Sequence, residues 1–153
     1  MNLEVENAKQ VLNSKGYTII DKDKLVVTRE VPRDVLENVF VTALEGGSNY
    51  WYYLSEGAIR IIRNAVPKSE EKYLAIAMVK AVLEHNVRIP INDAEDEDEI
   101  LGYLDIKTLP QRLNRLANSD DSSALTNELE GYGDASSSDI VFQYLVMGEV
   151  VYG

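Results

Sequence analysis

The sequence contains no cysteine. That excludes disulfides, a thiolate nucleophile and any zinc–thiolate site. It has one histidine, one tryptophan and four prolines. A Ser-His-Asp triad would have to use His85, and a zinc site would have to rest almost wholly on carboxylates, which is unusual. No apolar run approaches the roughly 18 residues of a membrane span. The opening MNLEVENAKQ has neither a basic n-region nor an apolar core, so no secretory signal is expected there.

What is present fits one ordinary globular domain. The chain has 153 residues, 45% of them hydrophobic and 27% charged, and a chain of this length buries enough surface to fold without staples. The net charge is −11 and unevenly spread. Residues 1–76 hold 10 basic and 11 acidic side chains, whereas residues 77–153 hold 5 and 15. An acidic second half repels phosphate backbones, so direct nucleic-acid binding is not expected. It attracts a basic partner or serves solubility.

Periodicity and punctuation predict about six helices and a few short antiparallel strands. The fold class expected is α+β, predominantly helical, as a single domain over 1–153. A short helix is expected over 4–15, with Gly16 at its C-terminal cap. Residues 17–20 and 25–29 read as a hairpin around Asp21–Lys24. Pro32 suits the first helical position. Val35, Leu36, Val39, Phe40, Ala43 and Leu44 follow at helical spacing, and Gly46-Gly47 ends the run. Ser55 caps a helix that Pro67 breaks, and Ser69 is read as the cap of a longer, central helix to about Asn86. Val87–Ile91 reads as a strand whose Pro90 suggests a sheet edge. Ile100–Leu104 reads as another strand, and Thr108 as a helix cap. Residues 119–134 read as a polar loop with a short helix near 123–130. Asp134 or a neighbouring serine caps a final helix through Met147.

Residues 93–99 read DAEDEDE. Like-charge repulsion predicts an open, flexible, solvated loop. It fails as a calcium loop, because its sixth position is Asp98 rather than glycine and its twelfth is Leu104 rather than glutamate. Glu128, Glu130, Asp134 and Asp139 are the other acids that could supply a catalytic carboxylate pair, although scattered surface acids are far commoner. Neither P-loop nor GxGxxG occurs. No catalytic residue, metal site or cofactor is assigned.

ALEGGSNYWYY, residues 43–53, is the most unusual local composition. Gly46 and Gly47 allow close backbone approach, and Asn49 offers an amide. Tyr50, Trp51, Tyr52 and Tyr53 offer flat faces for stacking on a base. Arg29 and Arg33, with Lys24, stand upstream to meet phosphate. The competing reading is a glycine cap followed by an aromatic core strand.

Two segments resemble a family of small proteins encoded by tailed bacteriophages and prophages. They are VTALEGGSNYW at 41–51 and GDASSSDIVFQYLVMGEVVYG at 133–153, with ILGYL at 100–104 as a weaker third element. The resemblance implies a phage origin and action in the host bacterial cytoplasm. It carries no catalytic residues over. Where the family reads D-A-x-T-A-D, this chain has Asp134-Ala135-Ser136-Ser137-Ser138-Asp139.

Two expectations about function follow. The first is a non-enzymatic counter-defence protein that sequesters a small nucleotide-like ligand through Arg29, Arg33, Gly46, Gly47, Asn49, Tyr50, Trp51 and Tyr53, as a homo-oligomer. The alternative is an inhibitor whose acids Asp93, Glu95, Asp96, Glu97, Asp98 and Glu99 cover a basic site on a host protein. A minor virion or assembly component is the third reading.

Overall fold

The computed structural model describes residues 17–21 and 24–153. The helix expected over 4–15 lies outside them. By its contacts the chain divides into two compact units, Met1–Val31 and Pro32–Gly153. In the first unit, β1 (Tyr17–Asp21) pairs antiparallel with β2 (Lys24–Val27), the hairpin expected from the two β-prone runs. The register slips between Ile19 and Asp21. This hairpin forms a sheet of its own, and its two strands satisfy each other's ladder rather than joining another sheet.

The second unit is α+β and mostly helical. Helix α1 (Arg33–Thr42) follows Pro32, which is its N-cap rather than its first residue. Val35, Leu36, Val39 and Phe40 bury one face of it. The backbone then widens into a π turn over Ala43–Gly47. Gly46 sits at φ 122°, a conformation that favours glycine. A Cβ on Gly47 would stand 2.9 Å from the Thr42 carbonyl oxygen. Both glycines are therefore needed to build the turn itself.

Helix α2 (Glu56–Ala65) is capped by Ser55, whose Oγ accepts from Ala58 N–H at 3.1 Å. Helix α3 (Leu74–His85) starts later than Ser69 predicts. Ser69 lies in a turn in which Glu70 and Glu71 N–H donate to the Pro67 carbonyl. Arg63 then donates to the carbonyls of Glu71 and Lys72 at 2.6 and 2.9 Å, which holds that stretch out of the helix. Helix α3 ends on Asn86 in the left-handed region.

Strands β3 (Tyr52–Tyr53), β4 (Ile89–Asp93) and β5 (Ile100–Leu104) form an antiparallel sheet in the order β3-β4-β5. Pro90 is thus on the central strand, not an edge. It is tolerated because β3 pairs only with Asn92 and Asp93, which leaves β4 locally open at residue 90. Ile89, Ile91 and Leu104 point into the core. Gly102 lies against α6, where a Cβ would collide with the Val146 carbonyl oxygen.

Helices α4 (Leu109–Ala117), α5 (Ser122–Leu129) and α6 (Ala135–Met147) complete the unit. Asp134 caps α6 in a reciprocal box: its Oδ1 accepts from Ser137 N–H, and Ser137 Oγ accepts from Asp134 N–H, each at 2.8 Å. Helix α6 packs on α1, α4, α5 and β5. Its residues 137–139 and 141–146 are all buried, so α6 is the hub.

Candidate functional site

The two segments with the most unusual sequence meet in space. Asp139, only 8% exposed, lies on α6 beneath the loop that follows the π turn. Its Oδ1 accepts from Ser48 Oγ at 2.6 Å and from Trp51 Nε1 at 2.8 Å. Its Oδ2 accepts from the Tyr50 hydroxyl at 2.6 Å and from Gln143 Nε2 at 3.0 Å. A buried carboxylate is tolerated only when several donors replace its water, and here four do.

Gln143 continues the network to the end of the chain. Its side chain is fully buried and uses its whole hydrogen-bonding capacity. Oε1 accepts from the N–H groups of Val151 and Tyr152, each at 2.9 Å. Nε2 donates to the Tyr152 carbonyl at 2.8 Å as well as to Asp139. Tyr152 in turn stacks on Trp51, with ring centroids 5.6 Å apart and planes 9° from parallel. Phe142 packs against both Trp51 and Tyr52.

This geometry corrects the stacking role read for the aromatics. Trp51 is 1% exposed and its ring is taken by Tyr152, Phe142 and Tyr52. Tyr52 is buried too, and its hydroxyl donates to the Ala43 carbonyl at 3.3 Å. Burial pushes the Tyr52 phenol up to about 12. Tyr50 is 52% exposed but its hydroxyl is held by Asp139. Burial first, then that bond, pushes the Tyr50 phenol up to about 12. Asn49 is exposed and Tyr53 is half-buried.

Arg33 does not stand free to meet a phosphate. Arg33 bonds Glu37 at 3.2 Å and Glu84 at 3.3 Å. The bond to Glu84 is the main reason its guanidinium is raised above the ordinary value. Arg29 is exposed and belongs to the other unit. His85 is exposed at the last position of α3.

Glu128 and Asp134 have structural work. Glu128 Oε1 accepts from the hydroxyls of Ser137 and Ser138, each at 2.7 Å, which ties α5 to the start of α6. Hydrogen bonds from Ser137 hold the Asp134 carboxyl below its ordinary range. Among the described residues, no group of three His, Asp or Glu side chains could hold a metal ion.

Two surface depressions are lined by described residues alone. One, about 500 Å³, is apolar and is lined by Leu44, Tyr73, Leu74 and Ile76 among others. The other, about 570 Å³, is polar, with Arg115, Asn118, Asp121 and Tyr144 on its walls. Neither contains a residue of the expected ligand set.

The acidic run is built differently from the open, flexible loop expected. It is the turn of the β4–β5 hairpin. Asp93 N–H donates to the Glu99 carbonyl, and Glu99 N–H to the Asp96 carbonyl, both at 2.9 Å. Asn92 Nδ2 donates to the Glu97 carbonyl at 2.7 Å from inside the turn. Asp93 and Asp96 accept from the N–H groups of Glu95 and Asp98 at 2.7 and 3.2 Å. Ala94 N–H donates to the Trp51 carbonyl at 3.0 Å, which joins the turn to the core. Residues 95–99 are all exposed. Among the described residues, no basic side chain forms an ion pair with any acid of the run. Sequence reasoning flagged these acids but missed Asn92, Ser48, Gln143 and Tyr152. Polar residues inside apolar runs were the available signal.

Compared with protein-family models, curated proteins and solved structures, the chain matches none.

Proposed function

We propose that the protein is a non-enzymatic binding protein that presents the acidic turn of the β4–β5 hairpin to a basic surface on a protein partner. The observation that carries this is the arrangement of residues 93–99. Five consecutive exposed acids stand on a turn whose backbone is bonded to itself, to Asn92 and to Trp51. A charged surface of one sign speeds encounter with its opposite and rejects like-charged competitors. Asp93 and Asp96 shape the turn, whereas Glu95, Glu97, Asp98 and Glu99 accept no hydrogen bond through their side chains among the described residues. Those four are the contact set. The phage resemblance supports a partner in a bacterial host, where covering a basic nucleic-acid site would inhibit a defence enzyme. Nucleotide capture loses its main support, because Trp51 stacks on Tyr152.

The test is capture from bacterial lysate at low and high salt. The wild type is compared with Glu95→Gln, Glu97→Gln, Asp98→Asn and Glu99→Gln combined. These changes leave the acceptors Asp93 and Asp96 in place. A basic protein retained by the wild type at low salt and lost by the variant is the expected result. Equal capture by a folded variant overturns the proposal.

A further inference from the structure

Asp93 opens the acidic turn and uses both of its carboxylate oxygens. Oδ1 accepts from Glu95 N–H at 2.7 Å, inside the turn. Oδ2 accepts from the Tyr152 hydroxyl at 3.4 Å, from 59 positions away. One carboxylate therefore joins the backbone of the turn to Tyr152. A second route runs through Trp51. Its ring stacks on Tyr152, and its carbonyl accepts from Ala94 N–H at 3.0 Å. Asp93 and Ala94 are the first two residues of the run, and both are tied to the same tyrosine.

Little else fastens the turn to the rest of the unit. The bonds from Asn92, Glu95, Asp98 and Glu99 all stay within the β4–β5 hairpin. Apart from the β3 pairing of Asp93, the hydrogen bonds that leave the run among the described residues are those to Trp51 and Tyr152. Clustered like charges push such a turn open, so an outside anchor matters to its shape.

Tyr152 is itself held from behind. Gln143 accepts from its N–H at 2.9 Å and donates to its carbonyl at 2.8 Å. Val150 and Val151, which precede it, are exposed. Burial raises the Tyr152 phenol, and Asp93, Glu99 and Glu95 add to the rise. The hydroxyl thus faces three acids of the run. Among the described residues, no other side chain donates a hydrogen bond to an acid of the run.

We infer that Tyr152 is the positioning residue of the acidic turn: clamped by Gln143, it holds Asp93 and Trp51 so that Glu95, Glu97, Asp98 and Glu99 are presented in one arrangement. The inference rests on the acidic turn being the contact surface. Charge sets how fast a basic partner arrives, whereas a pre-ordered surface lengthens its stay.

The test is Tyr152→Phe in the full chain, which removes the hydroxyl and keeps a ring on Trp51. Asp93→Asn is the second variant. It keeps the Oδ1 acceptor for Glu95 and removes the acceptor for Tyr152. The first readout is amide exchange, which needs no partner. Exchange at Asp93, Ala94, Glu95 and Glu99 is expected to quicken by about 2- to 10-fold in either variant, the effect of losing one hydrogen bond. Met78 and Val79 in α3 are expected to exchange as in the wild type. The double variant is expected to match the single ones, because both remove the same bond. The second readout is retention of captured basic protein during washing. Tyr152→Phe is expected to shorten it with the salt dependence unchanged, since no charge is altered. Wild-type exchange in Tyr152→Phe, acceleration spread equally over α3, additive effects in the double variant, or unchanged retention overturns the inference. Equal capture by the four-acid variant overturns the reading beneath it and leaves the exchange result standing, which tells the two failures apart.

Discussion

Gln143 grips Tyr152 by both polar groups of its backbone, accepting from the N–H at 2.9 Å and donating to the C=O at 2.8 Å. One side-chain amide thus replaces a neighbouring strand and fixes the last residues of the chain against α6. The Trp51–Tyr152 stack depends on that grip.

Gln143→Met keeps the approximate volume and removes every bond. Val151 is more than half exposed, so the freed tail reaches water at modest cost. The loss expected is about 2–3 kcal/mol, from an Asp139 bond and three backbone bonds of about 0.5–1.5 kcal/mol each, partly recovered by hydration. Urea unfolding measures it. Emission of Trp51, the single tryptophan, should change as the stack opens. Unchanged emission and stability would show that the tail is held by something else.

Asp139→Asn keeps the shape but swaps one acceptor oxygen for a donor. Ser48, Tyr50, Trp51 and Gln143 all donate toward this group, so at least one donor is left facing another. The expected cost is about 1.5–3 kcal/mol, the range for a hydrogen bond to a charged group. Asp139→Ala should cost at least as much. A neutral effect in both variants would remove Asp139 as the anchor between α6 and the aromatic segment.

Alkaline pH should loosen the same region. The phenols of Tyr50 and Tyr52 ionise near 10.0 when free and near about 12 in the fold. A raised pKa stabilises the protonated folded state. That contribution is complete below about pH 10 and is lost as pH rises toward 12. Tyr152 shifts in the same direction, through burial and then Asp93. The urea midpoint should hold steady to about pH 10 and fall beyond it. A midpoint constant up to pH 12 would contradict the assignment.

Gly102→Ala tests the contact between β5 and α6. The added methyl group meets the Val146 carbonyl oxygen, which belongs to backbone and cannot swing aside. Overpacking of this kind costs typically about 1–3 kcal/mol. Thermal unfolding reads it directly. A fully stable variant would mean that α6 can shift away from the sheet.

Much of the local structure was written in short stretches of sequence. Ser55 and Asp134 announced two helix starts because capping needs only a side chain and an N–H three residues on. The helical spacing of Val35, Leu36, Val39 and Phe40 announced the buried face of α1. The acids of 93–99 announced their own exposure, since unpaired charge stays in water. The α+β class followed from these local signals. The Ser69 helix start failed because Arg63, from the preceding helix, occupies the carbonyls that the longer helix would have used.

The fate of the aromatic segment was decided only by the tertiary structure. The pattern Tyr50–Tyr53 is equally suited to a ligand's ring and to the core, and nothing within ten residues tells them apart. The deciding partners are distant: Ser48 and Trp51 meet Asp139 from 91 and 88 positions away. The same holds for Gln143, which breaks an apolar run and looks misplaced until Tyr152 and Asp139 surround it. Periodicity records which surfaces leave water. Which polar groups leave with them depends on the donors and acceptors that folding brings together.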